Sequence, residues 1–194
     1  MSASPGRASF DQRVVLYGVP WSQYEALLLT RGESAVPRMT YLDGALEFMS
    51  PSINHEQVKK TLARLIEAWA DLLDLDLQGF GSWTVKAERE GRGAEADECY
   101  SLGGPDQPER PDLAIEVNWT RGGLDKLEVW RGLRVSEVWM WEDDRIDVFV
   151  LRGEAYVVSA GSELLPQMDL VLLASLARLR QRDALRALRE HLRG

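Results

Sequence analysis

Alternation of apolar and polar positions is clearest in Arg110-Pro111-Asp112-Leu113-Ala114-Ile115-Glu116-Val117-Asn118. Pro111 opens the stretch, and Thr120, Gly122 and Gly123 follow it, so it reads as a strand bounded by turns. Side chains alternate across a strand. Leu113, Ile115 and Val117 therefore share a face suited to burial. Asp112, Ala114, Glu116 and Asn118 share the other. A carboxylate beside core positions is costly unless it is paired, hydrogen-bonded or bound to a metal. Taken alone, the stretch is read most simply as a half-exposed strand with Glu116 in solvent or in a salt bridge. Its surroundings favour a functional reading.

The rest of the chain follows the same two periods. Residues 1–12 read as a flexible N-terminal arm, and 13–194 as one domain. Arg13 to Tyr17 reads as a short strand. Ser22-Gln23-Tyr24-Glu25 has the form of a capping box, and Trp21, Tyr24, Leu27 and Leu28 then mark a helix ending near Gly32. Pro37 to Pro51 reads as a hairpin turning at Asp43-Gly44. Glu47 lies on its second strand, on the face opposite Leu46 and Phe48. Ile53 to Leu73 carries Val58, Leu62, Leu65, Ile66, Trp69, Leu72 and Leu73 at helical spacing. Asn54-x-x-Gln57 is its candidate cap, and His55 sits in its first turn. Leu75 to Gln78, Ser82 to Ala87 and Ala94 to Tyr100 read as strands. The last has Glu95, Asp97 and Cys99 on one face and Glu98 on the other. Leu124, Leu127 and Trp130 give one face to a short helix that Gly132 terminates. Val135 to Trp141, Ile146 to Leu151 and Ala155 to Ser159 are further strands. From Leu170 onward the leucines describe C-terminal amphipathic helices.

Composition narrows the class. The chain of 194 residues is 45% hydrophobic and 28% charged, as a globular domain requires. No apolar run is long enough to span a bilayer, and the first residues lack the apolar core of a signal peptide. Cys99 is the single cysteine, which excludes an intrachain disulfide and fits a cytoplasmic location. Two histidines and one cysteine exclude a conventional Cys/His zinc site. The net charge of −8 argues against a broad basic nucleic-acid surface. It leaves room for an enzyme that meets phosphate through a metal held by carboxylates. Ser175 to Gly194 departs from the acidic average, with six arginines against Asp183 and Glu190.

Acids concentrate on two central strands. A Gly/Pro-rich connector separates Asp97 from Glu116. If their strands pair, both carboxylates meet at one sheet edge, where a hard divalent cation such as Mg²⁺ finds oxygen ligands. Lys126 falls in the first turn of the next helix. A cation there opposes the helix dipole by roughly 0.3–1 kcal/mol, so helix stability does not explain it.

The set resembles the Uma family of restriction-endonuclease-like proteins, in the PD-(D/E)XK nuclease superfamily. The matching pieces are Trp21-x-x-Tyr24-Glu25, Asp43-Gly44-x-Leu46-Glu47-x-Met49-Ser50-Pro51, His55, Glu95-x-Asp97-Glu98-Cys99-Tyr100, Pro111 to Val117, and Gly122 to Glu128 leading to Glu137-Val138-Trp139. The resemblance implies an α/β fold of the mixed α+β kind, a restriction-endonuclease-like mixed sheet flanked by helices. It implies a metal-dependent DNA endonuclease using Mg²⁺ or Mn²⁺, with DNA as substrate and a homodimer as the assembly. Asp97 takes the place of the first acid and Glu116 of the second, and the Val117 carbonyl is a further metal ligand. Ala96 stands where the motif has proline. Asn118 stands where its lysine belongs, and Lys126 takes that role from the next helix. Glu47 and His55 are rim residues. Two alternatives stay open. One is a catalytically silent binding or assembly module on the same fold, favoured by Asn118 and the acidic surface. The other is a carboxylate-pair glycosidase, which nothing beyond the acids selects.

Overall fold

The computed structural model describes residues 10–105 and 108–193. Its strands divide between two sheets. The first runs β1 (Gln12–Leu16), β3 (Ala45–Ser50), β2 (Arg38–Leu42), β6 (Arg92–Glu95), β5 (Thr84–Ala87), with every pair antiparallel. The second runs β11 (Ala155–Ser159), β10 (Arg145–Arg152), β9 (Glu137–Glu142), β8 (Leu113–Val117), β7 (Glu98–Leu102), β4 (Leu77–Gly79). It is mixed, because β8 and β9 are parallel while their outer neighbours are antiparallel. Parallel neighbours need a crossover, and α3 (Lys126–Gly132) lies in it. Four more helices are α1 (Trp21–Arg31), α2 (Ile53–Leu72), α4 (Leu170–Leu176) and α5 (Gln181–His191). The fold is mixed α+β, as expected.

Local chemistry explains the elements that frame the centre. Asp43 and Gly44 both have positive φ, 45° and 85°, the backbone that a tight two-residue hairpin turn demands. The apolar stripe of α2 (Leu65, Ile66, Trp69) packs on Leu113 and Ile115 of β8 and on leucines of α4 and α5. Each such side chain contributes roughly 1.5–3 kcal/mol on burial. On the other face of β8, Ala114 joins Val129 and Trp130 of α3, Ala94 of the first sheet and Ala96 just beyond it. The strand is thus buried on both sides, and Glu116 is 4% exposed rather than in solvent.

Four expectations shift. Asp11 is 6% exposed and Gln12 opens β1, so the end of the expected arm belongs to the folded body; residues 1–9 lie outside the described residues. The Ser22–Glu25 capping box does not form, because α1 starts two residues earlier, with Pro20 rather than Ser22 at the cap position. Trp21 is held there by edge contacts to Tyr24 and Tyr41, with ring centroids 5.1 and 5.2 Å away. Ser52, not Asn54, caps α2, accepting from the His55 N–H at 3.2 Å. Most consequentially, Ala94 to Tyr100 is two strands. The chain leaves the first sheet after Glu95 and enters the second at Glu98. Ala96 and Asp97 form the crossing, pinned by a bond from the Asp97 N–H to the Ile115 carbonyl (3.2 Å).

Candidate active site

That crossing and the C-terminal end of β8 supply the two carboxylates. Asp97 is 1% exposed. Its Oδ2 accepts from the Val117 N–H at 2.6 Å, which binds the crossing to the end of β8. Its Oδ1 faces His55 Nε2 at 2.9 Å and forms an ion pair with Arg38. Arg38 is itself buried and reaches Glu56 at 2.9 Å. Glu116 draws its partners from α3. Lys126 and Trp130 are four residues apart, so they share a helix face. Lys126 Nζ lies 3.4 Å from Glu116 Oε1, and the Trp130 indole N–H donates to the same oxygen at 2.8 Å. Asp125 fixes the helix start by accepting from the Glu128 N–H at 3.1 Å. The lysine therefore stands where the dipole disfavours it and the carboxylate needs it.

Asp97, Glu116, Val117, Asn118 and Lys126 line one cavity of about 510 Å³, with Arg13 and Arg121 among the other residues around it. The structure thus brings together five of the residues expected from sequence. Asn118 is fixed through its backbone, whose N–H donates to the Trp141 carbonyl at 2.8 Å. Glu47 and His55 stand behind this lining. Glu47 is 1% exposed; Oε1 accepts from Arg13 at 3.0 Å and Oε2 from the Leu124 N–H at 2.9 Å. It ties β3 to the loop that delivers Lys126. Gly123 makes this possible, since its φ of +97° suits glycine, and a Cβ there would fall on the Glu47 carboxylate. Asp112, the other Pro-Asp aspartate, sits at the far end of β8 and accepts from the Leu102 N–H at 3.0 Å.

Sequence reasoning missed Arg38, Trp130, Arg13 and Asp11. Trp130 had a usable signal, its i+4 spacing from Lys126. Arg38 had none beyond being a cation at a strand start. Asp11 fell within the expected arm. Its carboxyl shows how the site balances burial. Desolvation would raise its pKa, but hydrogen bonds from His55 and the Ser52 N–H hold it below the ordinary aspartate value.

The donor set suits a hard cation in kind, being two carboxylates beside one cavity of about 510 Å³. Among the described residues no group of three or more His, Cys, Asp or Glu side chains is placed to hold a metal. A cation here would rest on Asp97, Glu116, the Val117 carbonyl and water. Mg²⁺ commonly keeps several waters, so a sparse protein set is compatible with it.

Comparison with known proteins agrees with this architecture. Among solved structures, one described as a "putative nuclease belonging to DUF820 from Anabaena variabilis" is similar, with a TM-score of 0.55 and 13% sequence identity over 78% of this chain and 97% of that one. At that identity the likeness concerns the fold alone. No curated protein matches the chain. No described helix is long and apolar enough to cross a membrane. The profile of the Uma2 family, described as "Putative restriction endonuclease", matches residues 21–179, most of the chain. The protein belongs to the Uma2 family.

Proposed function

We propose that the protein is a metal-dependent DNA endonuclease whose centre is Asp97, Glu116 and Lys126. The observation that carries this reading is the convergence of two buried carboxylates, from the sheet crossing and from β8, with the Lys126 ammonium 3.4 Å from Glu116. Asp97, Glu116 and the Val117 carbonyl would hold a divalent cation, Mg²⁺ or Mn²⁺. Such an ion supplies Lewis-acid polarisation of a phosphoryl oxygen and lowers the pKa of bound water. Lys126 orients the attacking water or offsets charge that builds on the phosphate. A positioned proton-transfer group of this kind contributes roughly 10²–10⁴-fold. Asn118 lines the same wall and offers an amide that can hydrogen-bond water without transferring a proton. Arg121, also on that wall and exposed, suits a flanking phosphate of a DNA strand in exchange for its partners Glu142 and Asp143. A homodimer, one site per strand, and a cytoplasmic location belong to the same proposal.

The test is calorimetric titration of Mg²⁺ and Mn²⁺ into wild type and Asp97→Ala, followed by plasmid cleavage with both. Binding and cleavage in wild type, both lost in the variant, are expected. A variant that cleaves like wild type sinks the assignment. Sedimentation showing a monomer at micromolar concentration would remove the dimer.

One observation favours the silent module. Arg38 and His55 already occupy Asp97 Oδ1, so that carboxylate meets any cation with its charge partly matched. Metal binding without cleavage across linear, supercoiled and single-stranded DNA would select that reading.

A further inference from the structure

Asp11 lies upstream of residues 21–179, the stretch that matches the family, yet it is built into the centre. Its backbone N–H donates to Thr120 Oγ1 at 3.0 Å. Oδ1 accepts from the Ser52 N–H at 2.8 Å, and Oδ2 faces His55 Nδ1 at 3.2 Å. His55 is fully buried, and its other ring nitrogen lies 2.9 Å from Asp97 Oδ1. Asp11, His55 and Asp97 therefore form a buried line from β1 to the cavity wall.

The chemistry gives this line a direction. A carboxylate only accepts, so the Asp11 hydrogen bond uses a proton on Nδ1 and the Asp97 hydrogen bond uses one on Nε2. The partner of one ring nitrogen decides how the other is presented. Ser52 anchors the His55 backbone through its hydroxyl, and Asp11 anchors Ser52 through its N–H. One side chain thus fixes both the helix start and the face of the ring. Without it the imidazole is free to turn, and Asp97 loses a partner that sets its orientation against the Val117 N–H. We propose that Asp11 is a positioning residue, which holds His55 with Nδ1–H toward itself and Nε2–H toward Asp97 and thereby orients the Asp97 carboxylate. Its importance for catalysis rests on the nuclease reading; the positioning does not.

The chain has two histidines, His55 and His191, so imidazole ¹⁵N NMR resolves the ring. In the wild type, Nδ1 of His55 is expected to carry a slowly exchanging proton; a bare Nδ1 overturns the proposal with no variant needed. Asp11→Ala removes both the acceptor for the Ser52 N–H and the partner of Nδ1, so the ring is no longer held. The Nδ1–H signal should be lost. The Val117 amide proton should move upfield as its short bond to Asp97 (2.6 Å) loosens. An unchanged Val117 signal alongside an altered His55 ring would overturn the orienting role, since Asp97 would then hold its place unaided. Ser52→Ala, which removes the cap but leaves the Asp11 carboxylate, should retain Nδ1–H. Neither readout involves metal or DNA. A wild-type chain that binds no Mn²⁺ would therefore sink the nuclease reading without touching this result.

Discussion

Glu95 and Asp97 are two residues apart, both buried, and each is paired with an arginine, yet they serve different regions. Glu95 ends β6. Its Oε2 takes Arg31 at 2.5 Å and the Met39 N–H at 2.8 Å, and its Oε1 takes Thr84 at 2.9 Å. It borders a cavity of about 850 Å³, larger than the one at Asp97, with Lys86 and Glu25 paired across it at 2.6 Å. Every strong charge named there is matched by another fixed one. Asp97 stands in the break between sheets, on a cavity wall shared with Glu116, Val117 and Lys126. The comparison teaches that cavity size is a poor guide here. What separates the regions is whether the carboxylate is spent on joining strands or left at a shared wall.

The sharpest way to break the comparison is to neutralise each acid. Asp97→Asn and Glu116→Gln should each lower cleavage by at least about 10⁴-fold, reflecting loss of the metal's activation of water and phosphate, while melting transitions stay cooperative. Glu95→Ala should do the reverse. It strands a largely buried Arg31 (side chain 11% exposed) and should cost roughly 3–5 kcal/mol of stability, with activity per folded molecule preserved. Denaturant melts beside plasmid-cleavage rates read both. An Asp97→Asn chain that cleaves normally, or a Glu95→Ala chain as stable as wild type, would erase the distinction.

Lys126→Ala comes next, with an expected loss of roughly 10²–10⁴-fold in turnover and little change in metal affinity. This variant also bears on what the sequence could reveal. Period-two and helical patterning located most strands and helices, and the acids at 97 and 116 and the lysine at 126 were legible because motif spacing survives in one dimension. The second partition of the sheet was not legible. Ala94 to Tyr100 alternates like one strand, and nothing local says that Asp97 ends one sheet and begins another. That depends on the Val117 N–H, twenty positions away, accepting its role as donor. His55 was underread for the same reason. Its burial comes from Asp11, Arg38 and Asp97, which meet only in three dimensions.

A smaller effect should come from the loop that carries Lys126. Gly123→Ala places a methyl on the Glu47 carboxylate at a φ of +97°, a backbone strain of order 1–3 kcal/mol. Glu47 then releases the Leu124 N–H, and a displacement of about 1 Å at Lys126 is enough for roughly 10²-fold in rate. Metal binding at Asp97 and Glu116 should be nearly unchanged. Equal losses of cleavage and metal affinity would show instead that the whole centre collapses, making Glu47 part of the carboxylate shell rather than a support for the lysine.

The smallest expected effect concerns Glu98, the next acid along, which tests whether burial alone makes a carboxylate functional. Glu98 is 8% exposed. Burial raises its pKa above the ordinary 4.5, and Lys59 and Lys60 offset this only in part. A carboxyl whose folded pKa is raised favours folding when protonated, so its contribution is present below about pH 4.5 and is lost as pH rises through the folded value. Once ionised, above its raised pKa, Glu98 is a net cost. Glu98→Gln should therefore raise stability at pH 7 by an amount of order 1 kcal/mol, with the gain vanishing in acid and cleavage unaffected. Urea melts at neutral and acidic pH measure it. A destabilised Glu98→Gln chain would mean that Lys59 and Lys60 do more than offset desolvation, and that Glu98, like Glu95, is spent on holding the fold. The predicted gain would leave Asp97 as the one acid of the three that joins fixed partners to a place on the cavity wall shared with Glu116 and Lys126.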